Sequence, residues 1–155
     1  MAYECVTKNK LFDESVGIVT GLPDLAFTAS NSHDVNYGPE NCRIGAPKRA
    51  SKSHSWSAKA VGDSITVDLT SSFIVTGVAT QGRGDAAQWI TEYAVATSEN
   101  GVDWVDHGRF VGNFDQNTVC KRKLKHPVAA SFVKITTLKH QAHPSMRLDI
   151  LVYKK

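Results

Sequence analysis

Apolar and polar residues alternate in two stretches at the centre of the chain, and a polar, Gly-rich loop joins them. The first stretch ends at residues 78–80, the loop covers residues 81–88, and the second stretch covers residues 89–97. One face of the second stretch carries Trp89, Thr91, Tyr93, Val95 and Thr97. Side chains two residues apart share a face of a β-strand, so both stretches are predicted to be strands.

A hairpin turn is predicted directly after the second stretch. Asn100 and Gly101 follow it, and an Asn-Gly pair readily adopts the positive φ angles that tight hairpin turns need. Trp104 then falls on the returning strand.

Short strands are also predicted along the rest of the chain. They cover residues 65–69, 73–80, 110–111, 118–124, 132–138 and 146–153. Thr70, Ser71 and Ser72 separate the first two, and residues 31–55 are rich in turn formers and are predicted to be loops. Many short strands separated by turns predict an all-β sandwich or barrel.

Length and charge restrict the classes of protein that the chain can represent. With 155 residues and a net charge of +3, we expect a single domain over residues 1–155, with residues 1–20 as its leading segment. No basic stripe with interleaved aromatic residues is present, so nucleic acid is not an expected partner. No apolar run is long enough to cross a bilayer. Residues 1–10 lack the apolar core of a secretory signal, which leaves synthesis in the cytoplasm, with or without unconventional export, or an excised domain.

Several motifs, spread over nearly the whole chain, match one known pattern. The central region reads TQGR, then QWITEY, then SENGVDW, and residues 110–118 read FVGNFDQNT. Residues 21–30 read GLPDLAFTAS, and Trp56 opens a segment that leads to the VDL of residues 67–69. These motifs resemble the discoidin domain, also called the coagulation factor 5/8 C-type domain. GRGDAAQW and residues 143–147 resemble most the discoidin lectins of slime moulds.

The resemblance implies a discoidin-type jelly-roll β-sandwich or barrel of about eight main strands, with the ligand loops at one end. It also implies an extracellular or cell-surface location. Family members usually join their chain ends with a disulfide. Cys5 stands near the first partner position, but Tyr153 stands near the second, so Cys5 is expected to be free. An intermolecular disulfide through Cys5 or Cys42 is the alternative.

By the same resemblance, the ligand loops cover residues 31–41, 48–55, 83–88 and 140–145. The candidate ligand-binding residues in these loops are His33, Asp34, Asn36, Tyr37, His54, Arg83, Asp85 and His143. Arg offers two coplanar donors to adjacent hydroxyls, Asp accepts from two, and neutral His donates and accepts once each. Tyr37 or Trp56 could stack on the apolar face of a sugar. The predicted function is therefore a lectin for galactose or N-acetylgalactosamine-type glycans.

Each candidate residue also has a purely structural interpretation. Arg83 and Asp85 could pair with each other and only hold their loop. Asp34 and Asn36 are common turn formers, and Trp56 could belong to the core.

Two other binding functions stay open for the same loops. Arg83-Gly84-Asp85 is the tripeptide that integrins read, so a cell-adhesion or protein-interaction module is the first alternative. A phospholipid-surface binder is the second. Membrane insertion is not expected, because burying Arg83 and Asp85 in hydrocarbon would cost roughly 2.5–3.5 kcal/mol each.

An enzyme is not expected, because no catalytic motif is present. No cofactor is expected either, and the D-G-x-x-x-T-x-W sequence that marks calcium sites in carbohydrate-binding relatives is absent, so a structural calcium is only a secondary hypothesis. An oligomer is compatible with the sequence.

Overall fold

Antiparallel β-strands form nearly all of the regular structure. The computed structural model describes residues 10–154. Its strands are β1 (Val16–Gly17), β2 (Phe27–Ala29), β3 (Trp56–Ser57), β4 (Ser64–Gln81), β5 (Trp89–Ser98), β6 (Val105–Val111), β7 (Cys120–Gln141) and β8 (Ser145–Tyr153). Short 3-10 helices cover Val19–Gly21, Asp24–Ala26, Val35–Tyr37 and Pro39–Asn41. The predicted all-β class is confirmed.

The two longest strands, β4 and β7, pair with each other along most of the length of β4, and β4 also pairs with β8. The strand order is β1-β8-β4-β7-β5-β6, with β2 paired to β4 and β3 to β8. Residues 64–68 of β4 pair with residues 132–136 of β7, and residues 73–80 pair with residues 120–130. The register shifts between Asp68 and Phe73, where Thr70 has a φ of 63°. The predicted break at residues 70–72 is therefore an irregularity within one continuous strand, because β4 pairs with β7 on both sides of it.

The interior is filled by the apolar residues that alternate along the strands. Tyr93, Val95, Leu148 and Ile150 are fully buried, and Ile135 is 1% exposed, as the alternation predicts. Complete burial of such a side chain contributes roughly 1.5–3 kcal/mol.

Trp89 departs from the predicted alternation. It is only half-buried, whereas its neighbour Ile90 is fully buried. The pairing of β5 with β7 shifts register between Ile90 and Glu92 and again before Tyr93. A bulge of this kind reverses which residues face the core, so strict alternation, which would place Trp89 in the core with Tyr93 and Val95, fails at Trp89.

Two of the three cysteines lie within the described residues. Cys42 is fully buried, Cys120 is 7% exposed, and both are free thiols. Burial raises the pKa of the Cys42 thiol well above its usual range. Because Cys42 cannot reach another molecule, an intermolecular disulfide through it is excluded. Cys5 lies outside the described residues, so its free state stays a prediction.

Four loops meet at one end of the barrel, called here the loop end; they cover residues 31–41, 48–55, 83–88 and 140–145. Strand pairing brings them together: Trp89 is opposite Gln141, and Ser57 is opposite Ser145. The backbone N–H of His33 donates to the carbonyl of Ser57 (2.9 Å) and so fixes the first loop to β3. Over residues 10–154, no helix has the length and apolar character needed to span a bilayer.

Candidate functional site

The third loop, residues 83–88, is closed by its own backbone and anchored to its neighbours. The N–H of Arg83 donates to the carbonyl of Gln88 (2.9 Å), and the N–H of Gly84 donates to the carbonyl of His54 (3.0 Å). A Cβ atom at Gly84 would collide with the His54 imidazole. Arg147, 6% exposed, donates from Nε to the carbonyl of Gly82 (2.8 Å) and fixes the start of the loop.

The guanidinium of Arg83 is held on two sides. Its Nε donates to Asp85 Oδ1 (2.7 Å), and its Nη1 donates to Gln88 Oε1 (3.2 Å). The Arg83 side chain is 15% exposed and that of Asp85 is 26% exposed. The hydrogen bond to Asp85 raises the pKa of Arg83. Burial alone would raise the pKa of Asp85, but hydrogen bonds from Arg83 and the His54 N–H lower it overall.

The first loop supplies two rings. His33 and Tyr37 meet edge to face with 4.9 Å between ring centroids, and the Arg83 guanidinium carbon lies 5.1 Å from the Tyr37 ring centroid. Asp34 caps the 3-10 helix Val35–Tyr37, since its Oδ1 accepts from the N–H of Asn36 (2.8 Å). The contacts of Asp34 therefore agree with its interpretation as a turn former.

The fourth loop places His143 against the first. The His143 and His33 rings are 5.3 Å apart. His143 Nε2 donates to the carbonyl of Ala58 (2.7 Å), because a carbonyl can only accept. Burial lowers the pKa of His143; the hydrogen bond to Ala58 opposes this, and the charges of His33, His140 and Arg83 add to the lowering.

These side chains line an open cleft of about 130 Å³. Its lining residues are His33, Tyr37, Arg83, Gln88 and His143. All but Gln88 were candidates from the sequence, and the structure brings these four together.

The other four candidates lie outside the lining and make structural contacts. Asp34 caps its helix, and Asp85 binds Arg83. The carbonyl of Asn36 accepts from the N–H of Ser53 (2.9 Å), and His54 Nε2 donates to the carbonyl of Ala46 (2.9 Å). Each of these contacts ties one loop to another or closes a turn.

Gln88 was not a candidate, and its position depends on a chain of buried hydroxyls. Ser53, Ser55, Ser57 and Ser145 follow one another with Oγ–Oγ distances of 3.0, 3.2 and 2.7 Å. Ser145 Oγ then donates to Gln88 Oε1 (2.9 Å). The Ser-rich segment before Trp56 was visible in the sequence, but no sequence signal connects it to Gln88.

Of the two predicted stacking rings, only Tyr37 is accessible. Trp56 is fully buried, and its Nε1 donates to the carbonyl of Asn31 and to Ser32 Oγ, both at 3.2 Å. Stacking of a sugar on Trp56 is therefore excluded.

Side-chain metal ligands do not cluster at the loop end. Within residues 10–154, no group of three or more His, Cys, Asp or Glu side chains could hold a metal ion. Calcium bound through loop carbonyls stays a hypothesis.

Comparison with known proteins identifies a family. Residues 26–150 match the model of the F5/8 type C domain. Lactadherin of Rattus norvegicus is 30% identical over 147 residues, which cover 84% of this chain and 34% of lactadherin.

Solved structures share the fold. Discoidin II of Dictyostelium discoideum is similar with a TM-score of 0.80 and 24% identity, over 91% of this chain and 59% of that chain. The family 32 CBM of Clostridium perfringens NanJ, solved in complex with galactose, has a TM-score of 0.66 and 22% identity, over 83% of this chain and 96% of that chain. This chain thus spans about a third of lactadherin and less than two thirds of discoidin II.

Proposed function

This chain belongs to the F5/8 type C domain family, and from that membership we propose that it is a non-catalytic carbohydrate-binding module for galactose or N-acetylgalactosamine-type sugars. The observation that carries the proposal is the convergence of Arg83, Gln88, His33 and His143 around one open cleft, with the Tyr37 ring beside them. The galactose complex of the similar family 32 CBM supports the choice of sugar.

The chemistry of the cleft fits a sugar hydroxyl pair next to an apolar ring face. The Arg83 guanidinium lines the cleft and can donate to a sugar oxygen, and the Tyr37 ring can pack on the C–H face of a pyranose. Since a polar group left unpaired in such a site costs about 1–3 kcal/mol, an epimer with one misplaced hydroxyl should bind more weakly.

The cell-adhesion alternative is less compatible with the contacts of the tripeptide. The side chains of Arg83 and Asp85 bind each other at 2.7 Å, and Gly84 packs against the His54 ring. A receptor would have to break this pair before it could bind the two charges separately.

Isothermal titration calorimetry with galactose and N-acetylgalactosamine tests the proposal. Arg83→Ala should lower the affinity about ten- to a hundred-fold, because hydrogen bonds from a charged group contribute roughly 1.5–3 kcal/mol. Arg83→Lys should restore little of it, since an ammonium lacks the planar fork.

The matched control is Arg109→Ala, which removes an arginine that is 73% exposed on β6. It should bind as the wild type does, and urea unfolding of both variants separates lost contacts from lost folding. Equal affinities of wild type and Arg83→Ala would move the site away from the third loop. Absence of sugar binding, with binding to phosphatidylserine vesicles in a parallel assay, would favour the phospholipid alternative, for which Val35, 78% exposed on the first loop, is a candidate contact.

A further inference from the structure

The cleft is rich in hydrogen-bond donors, and Gln88 is the clearest example. Its Oε1 accepts from both Arg83 Nη1 and Ser145 Oγ. The reverse orientation of the amide would set its amino group against the guanidinium, with a donor facing a donor. The carbonyl oxygen of Gln88 is therefore already used within the protein, and its amino group is what remains for a ligand.

Arg83 adds further donors to the same cleft. A guanidinium carries five N–H groups, and three of the Arg83 groups point at Asp85 and Gln88. Two remain, and the Tyr37 side chain also hydrogen-bonds the guanidinium, which leaves at least one N–H group for a ligand. Asp85 is not part of the cleft lining, because its carboxylate lies between Arg83 and the backbone N–H of His54 (3.1 Å).

Among the described residues that line the cleft, none has a carboxylate that could accept a hydrogen bond from a ligand. The lining residues are an arginine, two histidines, a glutamine and a tyrosine. His143 uses Nε2 to bind Ala58, so its Nδ1 accepts when the ring is neutral and donates when the ring is protonated. A sugar hydroxyl brings a hydrogen that needs an acceptor, whereas a carboxylate or sulfate brings acceptors alone and a negative charge beside Arg83.

We propose that this cleft selects an anionic sugar, a galactose-type ring that carries a carboxylate or a sulfate, over the neutral sugar. The proposal rests on the function proposed above and adds the charge of the ligand to it. The anionic group binds an Arg83 N–H group that Asp85, Gln88 and Tyr37 leave free, together with the amino group of Gln88, and the ring packs beside Tyr37.

The test compares methyl galactoside, methyl galacturonoside and galactose 6-sulfate by calorimetry at low ionic strength, with acetate as an anion that lacks the sugar ring. The wild type should bind at least one of the two anionic sugars about ten-fold more tightly than methyl galactoside, since an added charge-assisted hydrogen bond is worth about one decade in affinity. Whichever of the two anionic sugars binds more tightly identifies carboxylate or sulfate as the preferred group. The difference in affinity between the anionic and the neutral sugars should shrink when the salt concentration is raised. Acetate should bind far more weakly than either anionic sugar.

Gln88→Glu is the decisive variant. A glutamate oxygen can still accept from Arg83 and Ser145, so the loop keeps its contacts, but the amino group is lost and a negative charge enters the cleft. We expect the anionic sugars to lose more than about ten-fold in affinity and methyl galactoside less than about three-fold. Gln141→Glu, which adds the same charge at an exposed position of the loop end, should leave all three affinities within about two-fold.

The pH dependence gives a second readout that should differ between the two kinds of sugar. The charged groups around His143 are His33 of the first loop, His140 of its own loop, and Arg83 with its partner Asp85. Burial lowers the pKa of His143, and the coulombic effects of His33, His140 and Arg83 add to the lowering; a bound anion opposes that effect. From pH 7.5 to 5.5 the anionic sugars should therefore bind more tightly, and methyl galactoside should not.

The outcomes separate the two proposals. Equal affinities for neutral and anionic sugars, or an equal loss of both in Gln88→Glu, would overturn the anionic preference and leave a neutral galactose site in place. Absence of binding to every sugar would overturn both.

Discussion

Replacing Asp85 with Ala removes the carboxylate that holds Arg83 and, through the N–H of His54, joins the second and third loops. The two side chains are 15% and 26% exposed and approach to 2.7 Å. This burial lies between that of exposed pairs, which contribute roughly 0.2–1 kcal/mol, and fully buried pairs, whose breakage costs roughly 3–5 kcal/mol. We therefore expect a coupling free energy of about 1–3 kcal/mol between Arg83 and Asp85.

A double-mutant cycle measures this coupling directly. The free energy of unfolding in urea is determined for the wild type, Arg83→Ala, Asp85→Ala and the double variant. The matched control is the same cycle on Arg109 and Glu92, where Nη1 and Oε1 are 3.3 Å apart and Arg109 is 73% exposed. There the coupling should stay below about 0.5 kcal/mol.

The pH dependence of the coupling has a fixed sign. The pKa of Asp85 is lowered in the folded protein, so its contribution is present above the ordinary carboxyl pKa of about 3.9 and is lost as the pH falls through the lower, folded value. The coupling should be the same at pH 7 and pH 5 and should decline only below about pH 4. A coupling below about 0.5 kcal/mol at pH 7 would refute the positioning role of Asp85.

Three further predictions concern packing and reactivity. Ile150→Ala should lower the free energy of unfolding by roughly 2–5 kcal/mol, because the side chain is fully buried; denaturant titration measures this, and an unchanged value would contradict the β8 assignment. Gly84→Ala should weaken sugar binding in calorimetry, because the new Cβ collides with the His54 ring and displaces the third loop. In a variant with Cys5→Ser and Cys120→Ser, the Cys42 thiol should react with Ellman's reagent only after unfolding, since it is fully buried and its pKa is raised; fast reaction of this variant in its native state would contradict the burial of Cys42.

The sequence predicts the fold well because burial follows strand alternation over most of the chain. Tyr93, Val95 and Leu148 obey it, and all are fully buried. Trp89 does not, because the bulge between it and Tyr93 changes the phase without any apolar or polar signal of its own. The sequence also gave no sign that β4 continues through Thr70, since an irregularity within a strand and a turn between strands use the same residue types.

The sequence predicts only those residues of the candidate site whose role depends on a single loop. His33, Tyr37, Arg83 and His143 were found because each lies in a loop that the family resemblance places at one end. Gln88 was missed because its role depends on Ser145, which is 57 residues away along the chain. A hydrogen bond between residues so distant leaves no local pattern.

The same long-range bonds explain how a polar loop end can hold a defined geometry. Ser55, Ser57 and Ser145 are fully buried, and each hydroxyl both donates and accepts along the chain that ends at Gln88. Removing one of them would leave its neighbour unpaired at a cost of about 1–3 kcal/mol, so the hydroxyls stabilise one arrangement together. Because Gln88 Oε1 is fixed by this chain and Arg83 is fixed by Gln88 and Asp85, the donors in the cleft are oriented before any ligand arrives. Less conformational entropy is then lost on binding, and a ligand is selected by how well its acceptors match donors that do not move.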